Sequence, residues 1–285
     1  AGVLCKVFPK KDSIVRIVIP SDLKNLIMAK YHFITHVGAK KLTMTIQLNY
    51  CWKDMQKEIS EFTRGCILCA IFKHSNTGQT EFGVPRLIMS PLTHWQIDVV
   101  SGMPKTNGMS SFINMVDMFS GYSIPVPLKF ETSKEIAKII EENVFKQFGI
   151  PVEISCDNAS NLGGPEIRTL LKFYGVSLRR TVPYSPQSHS IVEISNKYLV
   201  VLMRIFAEQF NVPWINVLTL ASLMCNSVPR KHLKGHSPHY MIFLKEPMSN
   251  YDIIPNQDNE KLDIQDHIEK LQNSKNYLRL INEYL

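Results

Sequence analysis

Three carboxylates stand out by type and spacing. Asp98 lies in the run Trp95-Gln96-Ile97-Asp98-Val99-Val100, at the end of a strand-like stretch. Asp157 follows the β-like run Val152-Glu153-Ile154-Ser155, and Glu193 sits near the start of a long apolar-periodic helix. Thirty-five residues separate Asp157 from Glu193. Two acids on strands and one on a helix can converge on a single point. Carboxylate oxygens are hard donors suited to Mg²⁺ or Mn²⁺. Two such ions about 3.5–4 Å apart stabilise both the attacking and the leaving oxygen of an in-line displacement at a phosphodiester.

A second constellation lies upstream. His32 and His36 are four apart, so one helical face can present both rings to a metal, and Cys66-x2-Cys69 forms a tight knuckle after 29 intervening residues from His36. Two His and two Cys make a closed tetrahedral zinc site, which is structural rather than catalytic. A lone His-x3-His is more often ordinary helix surface; the Cys pair at this distance reverses that preference. Between them Leu42, Ile46, Trp52, Met55 and Ile59 mark helices too short to bury a core alone, and zinc supplies the missing stability. Cys51 is a rival ligand without a paired cysteine. Cys5, Cys51, Cys156 and Cys225 are scattered, which fits a reducing compartment with one metal site and not a disulfide framework.

With both signatures in this order, the sequence resembles retroviral-type integrases, those of gypsy-type LTR retrotransposons in particular, over roughly the first 245 residues. Asp98, Asp157 and Glu193 match that family's acids, and His32, His36, Cys66 and Cys69 its zinc ligands. The resemblance implies an α/β fold: an RNase H-like core, with a mixed five-stranded sheet and flanking helices, preceded by a small helical zinc-binding domain. It implies trimming of the 3′ ends of element DNA and their joining to target DNA, with two Mg²⁺ or Mn²⁺ ions, a structural Zn²⁺, DNA as partner, a homo-multimer and action in the nucleus. It also points to DNA contacts. Tyr184 and Gln187 lie in the loop Pro183–Ser188, Asn158 stands beside Asp157, and Lys197 and Arg204 follow Glu193 on its helix. Asp117 competes with Asp98 for a metal, but the family's matching Asp is not catalytic, and it is taken as a turn or structural residue.

Four positions depart from the family's pattern: Thr35 and Ala159, where Gly is usual, and His189-Ser190, where Asn-Gly is usual. Glycine would ease a tight loop-to-helix turn; Ser190 can instead cap the helix. These departures keep a second reading in play, a domesticated integrase-derived protein that binds DNA or chromatin without catalysis. A general RNase H-like nuclease is a third, and it leaves the zinc module unexplained.

The elements that must position these residues follow from periodicity and punctuation. Residues 1–30 form an N-terminal extension with β-like runs at Val3–Phe8 and Ile14–Ile19 and a helix N-capped by Ser21. Residues 31–73 are the zinc-binding domain, and 74–92, rich in Gly, Pro, Ser and Thr, a linker. The catalytic domain spans 93–245. Strands at His94–Val100, Ser111–Asp117 and Tyr122–Leu128 form a meander. A capping box, Thr132-x-x-Glu135, opens a helix to about Phe148. Then come strand Val152–Asp157, helix Pro165–Tyr174, strand Val176–Thr181, the long helix from Ser190 to Gln209 and a further apolar helix within 212–228. Residues 246–285 end in a helix with Ile264, Ile268, Leu271, Leu278, Ile281 and Leu285 near one stripe.

The charge is distributed to match. Of a net +7 over 285 residues, residues 1–80 carry 12 Lys and Arg against 5 acids, 81–245 carry 16 against 12, and 246–285 carry 4 against 8. The basic excess lies toward the N-terminal side, as a phosphate-binding surface needs. At 45% apolar residues a packed core is expected. No run of 18 apolar residues implies a membrane span, and no signal-peptide pattern opens the sequence.

Overall fold

The computed structural model describes residues 5–8, 14–73, 88, 90–157, 162–180 and 190–247. A five-stranded mixed sheet carries the larger half of the molecule. Its first three strands, β4 (His94–Val100), β5 (Ser111–Asp117) and β6 (Ser123–Leu128), form the expected antiparallel meander. Asn107 and Gly108, both at positive φ (51° and 79°), make the hairpin turn between β4 and β5, the mirror-image turn that matches strand twist. β7 (Glu153–Cys156) and β8 (Ser177–Arg180) add in parallel, giving the order β6-β5-β4-β7-β8. β6 is an edge strand, which is where its Pro125 and Pro127 can be tolerated.

Helices cover both faces. On one, Trp95, Ile97, Ile113, Met115, Ile154 and Cys156 meet α5 (Ser133–Ile140) and α7 (Pro165–Tyr174). The Thr132 hydroxyl accepts from Glu135 N–H at 3.3 Å, and the Glu135 carboxylate reaches back to the N–H groups of Lys129 and Phe130. Beyond Ile140 the helix widens into a π-turn, Glu141–Phe145, then closes as α6 (Lys146–Phe148). Gly149, at φ 88°, stops it. On the other face, α8 (Ser190–Phe210) and α9 (Trp214–Ser227) bury Leu199, Leu202, Phe206, Val217 and Ala221 around Phe112. A short helix, α10 (Pro238–Phe243), follows, capped by Ser237.

The N-terminal part is a second unit. β1 (Cys5–Phe8), β2 (Ile14–Val18) and β3 (Tyr50–Cys51) make a small sheet, with β3 parallel to β2. Around it lie α1 (Ser21–Thr35), α2 (Ala39–Ile46), α3 (Met55–Arg64) and α4 (Ile67–Phe72). Two expectations need correction. The boundary at 30/31 falls inside α1, and Ile19 and Ile27 share one core with Leu42, Ile46 and Ile59, so extension and zinc module fold together. Ser21 is not the cap: Pro20 holds that position in extended geometry, and the Ser21 hydroxyl turns to Asp22. The unit leans on the larger one, for Val228 and Tyr198 pack against its core and Tyr198 Oη donates to Thr35 O at 3.1 Å. The expected tail helix, most of the linker and the Pro183–Ser188 loop lie outside the described residues.

Candidate active site

Strand register brings the first two acids together. β4 and β7 run parallel with Ile97 opposite Cys156, so the next residues, Asp98 and Asp157, emerge side by side. Side chains alternate along a strand. Ile97 and Cys156 face α5 and α7, and Asp98 and Asp157 therefore face α8. Asp98 is not at a strand end, as the sequence suggests. β4 runs on through Val99 and Val100, paired with Ile113 and Phe112; it is β7 that stops at Cys156, opening a gap in the sheet at Asp98. The first turn of α8 brings Glu193 across that gap.

Together Gln96, Ile97, Asp98, Asp157, Val192 and Glu193 line one cavity of about 320 Å³. Asp98 and Asp157 are half-buried and Glu193 is exposed. Glu193 Oε1 accepts from Lys197 Nζ at 2.6 Å, one helical turn on. Asp98 Oδ2 accepts from Asn196 Nδ2 at 2.7 Å. The three acidic lining residues offer hard oxygen donors, and among the described residues no Cys or His lines the cavity, which suits Mg²⁺ or Mn²⁺.

The rivals are accounted for. Asp117 is fully buried at the other end of β5. Its carboxylate accepts from the N–H groups of Leu92 and Ser120 and from the Ser120 hydroxyl at 2.6–2.8 Å. It ties a turn and does not reach the cavity, and burial raises its carboxyl above the usual range. Cys156 adjoins Asp157, but burial first, then the Asp157 charge, pushes its thiol up to about 11. At neutral pH it is a protonated core residue, not a nucleophile.

The four candidate zinc ligands lie together. His32 and His36 on and just beyond α1, and Cys66 and Cys69 at the start of α4, place one ligand atom each within 4.8 Å of the others. Cys69 Sγ lies 3.5 Å from both His32 Nε2 and His36 Nδ1, and Cys66 Sγ 3.7 Å from His36 Nδ1. A zinc tetrahedron with bonds of about 2.0–2.3 Å has edges of about 3.5 Å, so the donor set fits. His36 closes α1 at φ 43°, and Thr35, where the family's Gly was expected, stays helical with its hydroxyl on Tyr31 O. Burial, with His36 and Lys73 nearby, lowers His32 from 6.5 to about 4. Burial likewise lowers His36. Both rings are thus neutral and able to ligate at pH 7. Cys51 is occupied in β3 and stands outside the cluster.

Of the proposed DNA contacts, Lys197 and Arg204 are exposed on α8. Eleven residues from Glu193 to Arg204 is about three helical turns, so they share its face. Asn158, Tyr184 and Gln187 lie outside the described residues, as does the side chain of Ser190. Two residues escaped the sequence reading: Asn196, bonded to Asp98, and Gln209, whose Oε1 lies 3.1 Å from His36 Nε2 and fixes that ring from behind. For Asn196 the only sequence signal is its place one helical turn after Glu193; Gln209 has none.

Residues 89–186 match the model of the integrase core domain, and residues 19–75 that of the integrase zinc binding domain. The chain is 26% identical over 236 residues to the Gag-Pol polyprotein of avian reticuloendotheliosis virus, covering 82% of this chain and 20% of that protein. It is 27% identical over 221 residues to the transposon Tf2-3 polyprotein of Schizosaccharomyces pombe, covering 74% and 16%. The chain thus spans a fifth or less of the length of these curated relatives. A solved structure, the simian T-cell lymphotropic virus intasome in complex with PP2A regulatory subunit B56 gamma, aligns with a TM-score of 0.56 at 20% identity, over 80% of this chain and 77% of that one. That likeness is one of fold. Read from its N-terminal side, this chain matches an integrase zinc binding domain and then an integrase core domain, the order of two modules that the fold keeps as two units.

Proposed function

We propose that the chain is the integrase of a gypsy-type LTR retrotransposon, which trims the 3′ ends of element DNA and joins them to target DNA. The observation that carries this reading is the convergence of Asp98, Asp157 and Glu193, far apart in sequence, on one cavity. The matched domains and their order support it.

Asp98 and Asp157, held in register by β4 and β7, and Glu193 on α8 would together hold the divalent cations. Such cations would supply neutralisation of phosphate charge and activation of the attacking oxygen. The chain's own part is positioning and electrostatics, the main demands of phosphoryl transfer. The sheet fixes the spacing of two acids, and α8 sets the third against them. Lys197 pairs with Glu193 at 2.6 Å on the exposed side of α8, and its ammonium would meet a DNA phosphate there. Arg204 continues the same basic face, and Asn158, Tyr184 and Gln187 hold the DNA ends. In this reading the protein acts in the nucleus on paired DNA ends; its likeness in fold to an intasome supports DNA binding and multimeric assembly.

The test is a strand-transfer assay with Mn²⁺ and a short duplex bearing the element's terminal sequence. Wild type is expected to give joined products, and Asp157→Asn none, with an unchanged circular dichroism spectrum. Joined products from purified Asp157→Asn would overturn the assignment. A zinc-loaded wild type that retains DNA but joins none would instead be a DNA-binding protein derived from an integrase.

A further inference from the structure

Behind the acids lies a buried chain of polar side chains. Asn196 Nδ2 donates to Asp98 Oδ2 at 2.7 Å, Asn114 Nδ2 donates to Asn196 Oδ1 at 2.6 Å, and Ser123 Oγ donates to Asn114 Oδ1 at 2.7 Å. Asn114, Ser123 and Asn196 are 0%, 1% and 8% exposed, so water does not substitute for any link. Asn226 clamps the far end from α9: its Oδ1 accepts from Ser123 N–H and its Nδ2 donates to Ser123 O, both at 2.8 Å. Strand register builds the chain, because Asn114 of β5 stands opposite Asp98 of β4 on one side and opposite Pro125 of β6, two residues from Ser123, on the other.

The direction of every link is forced. An ionised carboxylate only accepts, so Asn196 must turn its NH₂ toward Asp98 and its oxygen toward Asn114. Asn114 must then donate, which leaves its own oxygen for the Ser123 hydroxyl. All three bonds point the same way and polarise one another. A buried amide that loses its partner can flip, and the flip would present an oxygen to Asp98.

We infer that Asn196, Asn114 and Ser123 form a one-way donor relay, anchored on α9 by Asn226, that orients the Asp98 carboxylate for a divalent cation. This rests on the reading of Asp98 as a metal ligand. These are positioning residues, and none is asked to touch DNA. Partners that orient metal ligands in this way alter affinity by about 10–100-fold. Mg²⁺ demands nearer-ideal octahedral geometry than larger cations, so a misaligned Asp98 should cost Mg²⁺ more than Mn²⁺.

The experiment is calorimetric titration of Mg²⁺ and of Mn²⁺ into the full zinc-loaded chain without DNA, alongside thermal unfolding of each variant. Asn196→Ala is expected to weaken Mg²⁺ by about 10-fold or more, and Mn²⁺ by less. Ser123→Ala, three hydrogen bonds from Asp98, is expected to weaken Mg²⁺ several-fold. Because the residues act in series, the double variant should bind no worse than Asn196→Ala alone. Wild-type affinities in a folded Asn196→Ala, or equal losses for both cations, would overturn the relay. If Asn196→Ala does not fold, Ser123→Ala decides: wild-type Mg²⁺ affinity in it overturns the proposal. Asp98→Asn separates the two claims, since intact Mg²⁺ binding there would sink the metal assignment itself.

Discussion

His32 and Gln209 show how single residues set the behaviour of the zinc site. Without metal, His32 is held near 4, against an ordinary 6.5, by burial and the nearby His36 and Lys73. A histidine depressed in the fold contributes stability above pH 6.5 that is lost as pH falls toward 4, because the unfolded chain takes up the proton first. Zinc needs the same neutral ring. Acidification from pH 7.5 is therefore expected to release zinc and melt the N-terminal unit between about pH 6.5 and 4, followed by a zinc indicator and circular dichroism; a unit intact with its zinc at pH 4 would contradict this. Gln209→Ala removes the group behind His36 and is expected to weaken zinc by about 10-fold or more, measured by competition with a chelator. The ligands and the three acids were legible in the sequence because their chemistry demands particular residue types at particular intervals. Gln209 and Asn196 were not, since a lone amide on a helix has no distinguishing signature until the fold shows what it faces.

At the scale of elements, period and punctuation located the strands and helices of the core to within a few residues. The capping box at Thr132 and Glu135 is an instance, and Thr132→Ala is expected to cost about 1 kcal/mol, read from denaturant unfolding with m unchanged. What the sequence withheld was register. Asp98 sits inside β4, and only the earlier end of its neighbour β7 exposes it. The π-turn at Glu141–Phe145 was equally hidden, for its residues keep helical composition; Asn143 Nδ2 bonds Ile139 O there at 2.9 Å. The domain boundary at 30/31 failed for a related reason: nothing in the residues of α1 marks where one packing partner gives way to another.

Across the whole molecule, α8 links the acid-lined cavity to the His/Cys cluster. Glu193 stands in its first turn and Gln209 in its last, about 24 Å apart at 1.5 Å per residue, with Tyr198 bonded to the N-terminal unit between them. Stripping zinc is therefore expected to weaken Mg²⁺ binding at the acids in the same chain, even at dilutions where it is monomeric. Titration of zinc-free and zinc-loaded protein checks this, and equal affinities would show that α8 holds its place unaided. A different consequence follows from Pro125 and Pro127. With no N–H to give, they cannot supply the ladder to β5, which falls to Ile124, Val126 and Leu128. The two prolines thus occupy the outward-facing donor positions of the sheet's free margin. That margin offers a neighbouring chain carbonyls but, at the two prolines, no N–H to pair with, which protects the sheet there from runaway growth into fibres. A strand from another chain that extended this sheet would have to add at β8, its other margin.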